Sequence, residues 1–142
     1  MALMPCELCK SAGGKPLWRD ALCRVVLVND AEHPGFCRVI WNAHVKEMTD
    51  LGETERQHVL RVALAVETAL RKLLSPDKIN LASLGNMTPH LHWHVIPRFH
   101  DDPHFPNPVW GRKLRASPRA LPRGFKDAVQ AALIRALGPR MN

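Results

Sequence analysis

His90-Leu91-His92-Trp93-His94-Val95-Ile96-Pro97-Arg98 alternates imidazoles with apolar side chains before running into a β-branched segment. Alternation with a period of two is the pattern of a strand, whose successive side chains point to opposite faces. Leu91, Trp93 and Val95 are therefore expected on a core-facing side. His90, His92 and His94 are expected together on the other, with Cα atoms about 6.5–7 Å apart at strand rise. One such histidine is ordinary in a protein interior. Three in register call for a task, because each desolvated ring needs a hydrogen-bond partner. Two chemistries suit the row. His-x-His on a strand can present two nitrogens to one metal ion. Alternatively, a neutral imidazole can attack a phosphorus centre as a nucleophile, with its neighbours donating hydrogen bonds to the oxygens.

The flanking sequence supplies a frame for this strand. Upstream, Lys78–Leu84 reads as another strand, joined to the histidine strand by Gly85-Asn86-Met87-Thr88-Pro89. Before it, residues 53–74 place Val59, Leu60, Ala63, Val66, Leu70, Leu73 and Leu74 at helical spacing with a polar back face, ended by Ser75-Pro76-Asp77. Thr49 or Asp50 stands where a cap is expected, with Glu53 three residues after Asp50. Leu22–Val28 and Phe36–Trp41 read as two strands of a hairpin whose connection carries Pro34-Gly35. Residues 1–16 look loop-like, and Trp18–Asp20 reads as a short edge. Residues 100–110 carry Pro103, Pro106 and Pro108 and read as irregular, and a last helix is expected from about Pro122 or Gly124 to Leu137. The expected class is α+β: an antiparallel sheet of about five strands with two main helices, in a single domain spanning residues 1–142.

Length and charge narrow the function classes. The chain has 142 residues and is 46% hydrophobic, enough for one core without disulfide staples. No apolar run reaches the ~20 residues of a membrane-spanning helix, and the first ten residues lack a signal-peptide pattern. A cytoplasmic location is expected, with Cys6, Cys9, Cys23 and Cys37 reduced or metal-bound. The net charge is +7, and all of it falls in residues 111–142, which carry eight basic side chains against the single acid Asp127. A charge run is most often a solvated face. Capture of an anionic substrate is a second reading, and nucleic acid is a less favoured partner. Trp110, beside this block, is expected to anchor the tail on the core rather than to stack a base.

His90-Leu-His92-Trp-His94-Val-Ile resembles the motif of the histidine triad (HIT) superfamily. Leu27-Val28-Asn29 followed by Pro34-Gly35, then Asn42-Ala43-His44-Val45, the helix and Pro97-Arg98 fall where that family has equivalents, so the likeness covers roughly residues 5–100. The resemblance implies a nucleotide hydrolase or nucleotidyl transferase acting at the α-phosphate of dinucleoside polyphosphates, nucleoside phosphoramidates or related conjugates. It implies His92 as the nucleophile that becomes nucleotidylated, His94 as hydrogen-bond donor to phosphate or leaving group, and His90 as an orienting residue. Asn86 matches an amide or hydroxyl near the α-phosphate, Asn29 a ribose-binding position, and Leu27 the base pocket. Turn chemistry is an equal reading for Asn29 and Asn86. The resemblance also implies a homodimer and catalysis without a metal or redox cofactor. Two departures stand out: Phe36 where many members carry a second histidine after Pro-Gly, and a short loop before the triad.

Cys6-Glu7-Leu8-Cys9 has the spacing of a zinc half-site, and with no second cysteine pair the other ligands would be histidines. Some members of the superfamily hold a structural zinc with residues placed like Cys6, Cys9, His44 and His90. Free thiols are the competing reading. Cys23 and Cys37 fall in strands and are expected as small core residues. His33, His58, His100 and His104 have no partner legible in the sequence and are expected in solvent. The readings that compete with the enzyme are a zinc-stabilised nucleotide- or nucleic-acid-binding module with little turnover, and a metallohydrolase built on His-x-His-x-His.

Overall fold

The computed structural model describes residues 5–141. The first four residues of the expected N-terminal loop, and Asn142, lie outside them. A short helix α1 (Glu7–Lys10) precedes strands β1 (Lys15–Arg19), β2 (Cys23–Leu27) and β3 (Cys37–Trp41). The long helix α2 (Glu53–Leu74) follows, then β4 (Lys78–Ala82), β5 (His92–Arg98) and α3 (Phe125–Leu137). The five strands form one sheet in the order β1-β2-β3-β5-β4, and every neighbouring pair is antiparallel. The fold is α+β, as the strand and helix periodicities imply.

The sheet buries one face under two helices. On β2 and β3, Val25 faces Val39 and Cys23 faces Trp41 across the ladder. These residues join Val95 of β5, Val59, Val62, Ala63, Val66 and Leu70 of α2, and Phe125, Val129 and Leu133 of α3 in one core cluster. The α2 members recur at i, i+3, i+4 and i+7, the stripe that faces a core. A fully buried leucine such as Leu70 contributes roughly 2–3 kcal/mol of transfer free energy. The C-terminal helix is thus part of the core and not an appendage. Cys23 and Cys37 are buried, and desolvation raises both thiols, Cys37 to about 12.

Several local expectations change. The N-terminal segment is not all loop, because α1 packs Leu8 against Val26 and Ile40 on the sheet face opposite the helices. Arg24 fastens it there by donating to the carbonyls of Leu8 (2.6 Å), Ser11 (3.2 Å) and Ala12 (3.0 Å). The expected cap at Asp50 belongs to a preceding 3-10 turn, where its carboxylate accepts the backbone N–H of Glu47. Helix α2 starts one turn later, with Glu55 accepting the N–H of Gly52 at 2.9 Å. Gly35 fits its turn for two reasons. Its φ is +92°, and a Cβ there would come 2.7 Å from Leu74 Cδ1.

The basic C-terminal stretch is more structured than a solvated run. Leu114 N–H donates to the Pro103 carbonyl at 2.7 Å, and Arg115 donates to the carbonyl oxygens of Asp102 and Phe105. Lys113 pairs with Glu32, and Arg119 pairs with Asp101 while lying over the Phe99 ring. Charge repulsion among these cations is offset by carbonyl and carboxylate partners, so the segment runs as a strap over residues 99–105.

Candidate active site and metal centre

Strand alternation sends Val95 into the helix-covered core and His92 and His94 to the opposite face. Cross-strand register then decides their neighbours. Ile40 on β3 stands beside His92, Arg38 stands beside His94, and Ala82 on β4 stands on the other side of His94. The two imidazoles meet edge to face with centroids 4.8 Å apart. They are only 7% and 5% exposed.

His90 departs from the single-strand picture. β5 begins at His92, and the preceding backbone bends away: His90 N–H bonds the Thr88 carbonyl and Leu91 N–H bonds the Val45 carbonyl. The ring of His90 is carried toward α1 instead of lining up with the other two. Its contribution to His92 comes through the backbone. His92 Nδ1–H donates to the His90 carbonyl oxygen at 2.6 Å. That bond fixes the tautomer, so Nε2 carries the lone pair. Nε2 has no hydrogen-bond partner among the described residues and is not sealed from solvent. Burial, followed by the charge of Arg38, holds the His92 pKa below its usual value against the pull of that carbonyl, which keeps the ring neutral at pH 7.

His94 is walled by aromatic rings. Phe36 stands edge-on at 5.5 Å between centroids and Trp110 at 4.9 Å. Phe36 therefore supplies an apolar wall where a second histidine would supply a hydrogen bond, and His94 Nδ1 is left buried without a partner. Burial, then the neighbouring His92 and Arg38, pushes its pKa down to about 4. Trp110 remains 53% exposed. It sits at the histidine pair, so the expectation that it anchors the tail on the core gives way to a place at the site.

The cysteine pair meets the two expected histidines. Cys6 Sγ lies 3.3 Å from His90 Nδ1, and Cys9 Sγ lies 3.5 Å from the same atom and 3.4 Å from His44 Nδ1. The two ring nitrogens are 3.2 Å apart. All four donor atoms lie within 4.8 Å of one another. A zinc tetrahedron with Zn–S of about 2.3 Å and Zn–N of about 2.05 Å has edges of about 3.6 Å for S···N and about 3.3 Å for N···N. The protein's spacings are those edges to within a few tenths of an ångström. His90 Nε2–H donates to the Trp41 carbonyl at 2.6 Å, which leaves the Nδ1 lone pair directed at the cluster. The donor set fits a four-coordinate metal.

The remaining sequence-derived residues are placed less compactly. Leu27 and Asn29 share a groove of about 540 Å³ with Lys15, Gly35, Arg119 and Leu121. None of the three triad histidines is among its lining residues, and Leu27 also packs against the core. Asn86 lies on an exposed turn and makes no hydrogen bond among the described residues. Ser83 donates to the His92 carbonyl at 2.9 Å.

Three histidines expected in solvent are paired instead. His33 Nε2 and His104 Nδ1 meet at 2.9 Å in the interior, and His58 Nε2 bonds Asp20 at 2.7 Å. Their partners lie 38 and 71 positions away, beyond the reach of local pattern. His100 is exposed. Arg38 was missed altogether, although a lone arginine between Cys37 and Val39-Ile40 on a central strand is a legible signal.

Comparison with known proteins resolves the fold's kinship. The family model for the HIT domain matches residues 13–101. The chain belongs to the HIT family. Among solved HIT structures, a histidine triad protein from Marinobacter aquaeolei VT8 is 32% identical with a TM-score of 0.68, covering 89% of this chain and 90% of that one. One from Bradyrhizobium japonicum is 28% identical with a TM-score of 0.70, covering 89% and 92%. A Zn-bound histidine triad family protein from Mycobacterium smegmatis, at 20% identity and a TM-score of 0.61 over 86% and 85%, shares the HIT fold. No curated protein matches the chain significantly. No helix among the described residues is long and apolar enough to cross a membrane.

Proposed function

We propose that this HIT protein is a nucleotide hydrolase or nucleotidyl transferase that cleaves at the α-phosphate of dinucleoside polyphosphates or nucleoside phosphoramidates. The reading rests on one observation: His92 Nδ1–H is committed to the His90 carbonyl, leaving Nε2 as an open, neutral nucleophile. In the first half-reaction the Nε2 lone pair attacks the α-phosphorus. The N–P bond forms as the bond to the leaving group breaks, and the departing oxygen or nitrogen keeps the electron pair. The Nδ1–H···O=C bond strengthens as the ring gains positive charge, so it stabilises the transition state more than the ground state. His94 donates an N–H to a phosphate or leaving-group oxygen. In the second half-reaction water, or an acceptor nucleophile, attacks the same phosphorus, loses its proton to solvent, and returns the electron pair to Nε2.

Asn29 and Leu27 take the ribose and base in the groove they share, and Asn86, with an amide free of protein partners, serves a phosphate oxygen. Cys6, Cys9, His44 and His90 would hold zinc in a structural role, four protein donors leaving no open position for the chemistry. Two copies pair as a homodimer, which light scattering on the purified protein tests. The assignment of the nucleophile is tested by release of nucleoside monophosphate from a panel of diadenosine polyphosphates and adenosine phosphoramidates. His92→Ala is expected to abolish turnover; full activity in that variant refutes it. A binding module with little turnover would leave no nucleotide covalently attached to His92 when the wild type is quenched mid-reaction.

A further inference from the structure

Arg38 is half-buried on the central strand β3 beside His94. Among the described residues no carboxylate pairs with it. Its only acceptor among the described residues is the Gly13 carbonyl, which takes Nη1–H at 3.1 Å. The opposite edge of the guanidinium, formed by Nε and Nη2, has no hydrogen-bond partner among the described residues, and Nε is buried in that state. His94 Nδ1, on the adjacent strand in the same cross-strand row, is the second buried orphan on this face. A buried guanidinium N–H and a buried ring nitrogen that lack partners are each costly. Found side by side next to a nucleophile, they describe a site whose missing partner is an anion. Arg98, the fully buried arginine of the sheet, shows the contrast, since its Nε and Nη2 edge is filled by both oxygens of Asp102.

We propose that Arg38 is the anion anchor of the site, its Nε and Nη2 edge taking two non-bridging oxygens of the substrate's α-phosphate. The proposal rests on the nucleotidyl reading above and adds to it a phosphate-binding residue outside the histidine motif. The planar fork matches two phosphate oxygens in a way a point charge does not. It accounts for how a site with a short loop before the triad, and Phe36 in place of a polar side chain, still holds a phosphate.

The test is calorimetric binding of AMP and of adenosine to the wild type, Arg38→Met and Arg38→Lys. Arg38→Met keeps an apolar stem and is expected to weaken AMP at least tenfold, about 1.4 kcal/mol, with adenosine within twofold of wild type. Arg38→Lys keeps the charge, loses the fork, and is expected to fall between the two. Titration of the His94 ring signal by NMR supplies a second readout. Removing the cation in Arg38→Met raises its pKa, because burial, His92 and then the Arg38 charge lower it in the wild type. AMP binding as tight as wild type in either variant, or equal losses for AMP and adenosine, overturns the proposal. If Arg38→Met does not fold, the Arg38→Lys result alone decides it. A wild-type protein that binds neither ligand overturns the nucleotidyl reading itself, which separates the two failures.

Discussion

Acidification from pH 7 to pH 5 is expected to remove about 2 kcal/mol of stability through His94 alone. The ring is buried between Phe36, Trp110 and His92, and its pKa in the folded protein is about 4. In the unfolded chain it returns to about 6.5. The folded value is depressed, so between the two values the unfolded state binds more protons and stability falls as pH falls. At pH 7 the ring is mainly neutral in both states. At pH 5 it is about 97% protonated unfolded and about a tenth protonated folded, and the ratio of the two binding terms gives the figure of about 2 kcal/mol. For a chain of this size that is a fall of roughly 6–8 °C in Tm. The assay is urea unfolding at pH 7 and pH 5 for wild type and His94→Gln. Taking the difference of the two pH losses removes every group that titrates alike in both proteins. The wild type should lose about 2 kcal/mol more than the variant. Equal pH losses would mean that burial does not hold His94 neutral, and the electrostatic account of the site would fail with it.

Arg98→Ala should destabilise the fold by about 3–5 kcal/mol, because it leaves a buried carboxylate without its cation. Asp102 is desolvated, yet Arg98 and the backbone N–H groups of His104, Phe99 and Phe105 hold its pKa well below the usual carboxylate range. A loss under about 1 kcal/mol in urea melts, the level of an exposed pair, would contradict this. Protein purified without chelator should carry about one zinc per chain, and Cys6→Ser should lower both that content and the Tm; zinc near zero in the wild type rejects the metal centre.

Legibility followed the range of the interactions. The helix at Glu53–Leu74 and strands at Cys23–Leu27 and Cys37–Trp41 are written in local periodicity and β-branched composition, so they are readable from short windows. His92 and His94 are readable for the same reason, since alternation alone puts them on one face. Arg38 was within reach, because a cation flanked by apolar strand residues breaks the pattern that places its neighbours in the core. The His33–His104 bond and the edge contact of Trp110 with His94 were not. They depend on how the proline-containing segment 100–110 packs back on the sheet, and no spacing in the sequence encodes that return. Leu27 lines a groove with Asn29 while its strand parity also sets it against the helix-covered core, a double placement that only the folded sheet makes visible.

His90 explains why the Cys6-Cys9-His44 cluster and the triad cannot be treated as separate sites. Its Nδ1 faces Cys6, Cys9 and His44, its Nε2–H is held by the Trp41 carbonyl, and its own carbonyl receives the Nδ1–H of His92. Three bonds in three directions leave little freedom for the peptide that sets the His92 tautomer. The short helix α1 brings the cysteines to this point, and Arg24 clamps α1 to β2 through three carbonyls. Order in the N-terminal segment is thereby coupled to the nitrogen that would attack phosphorus. A Cys-x-x-Cys pair more than 80 residues from the triad in sequence is, in the fold, two residues' contacts away from His92. Disturbing the cluster should therefore loosen the orientation of His92 before it unfolds the sheet, whose core lies on the opposite face.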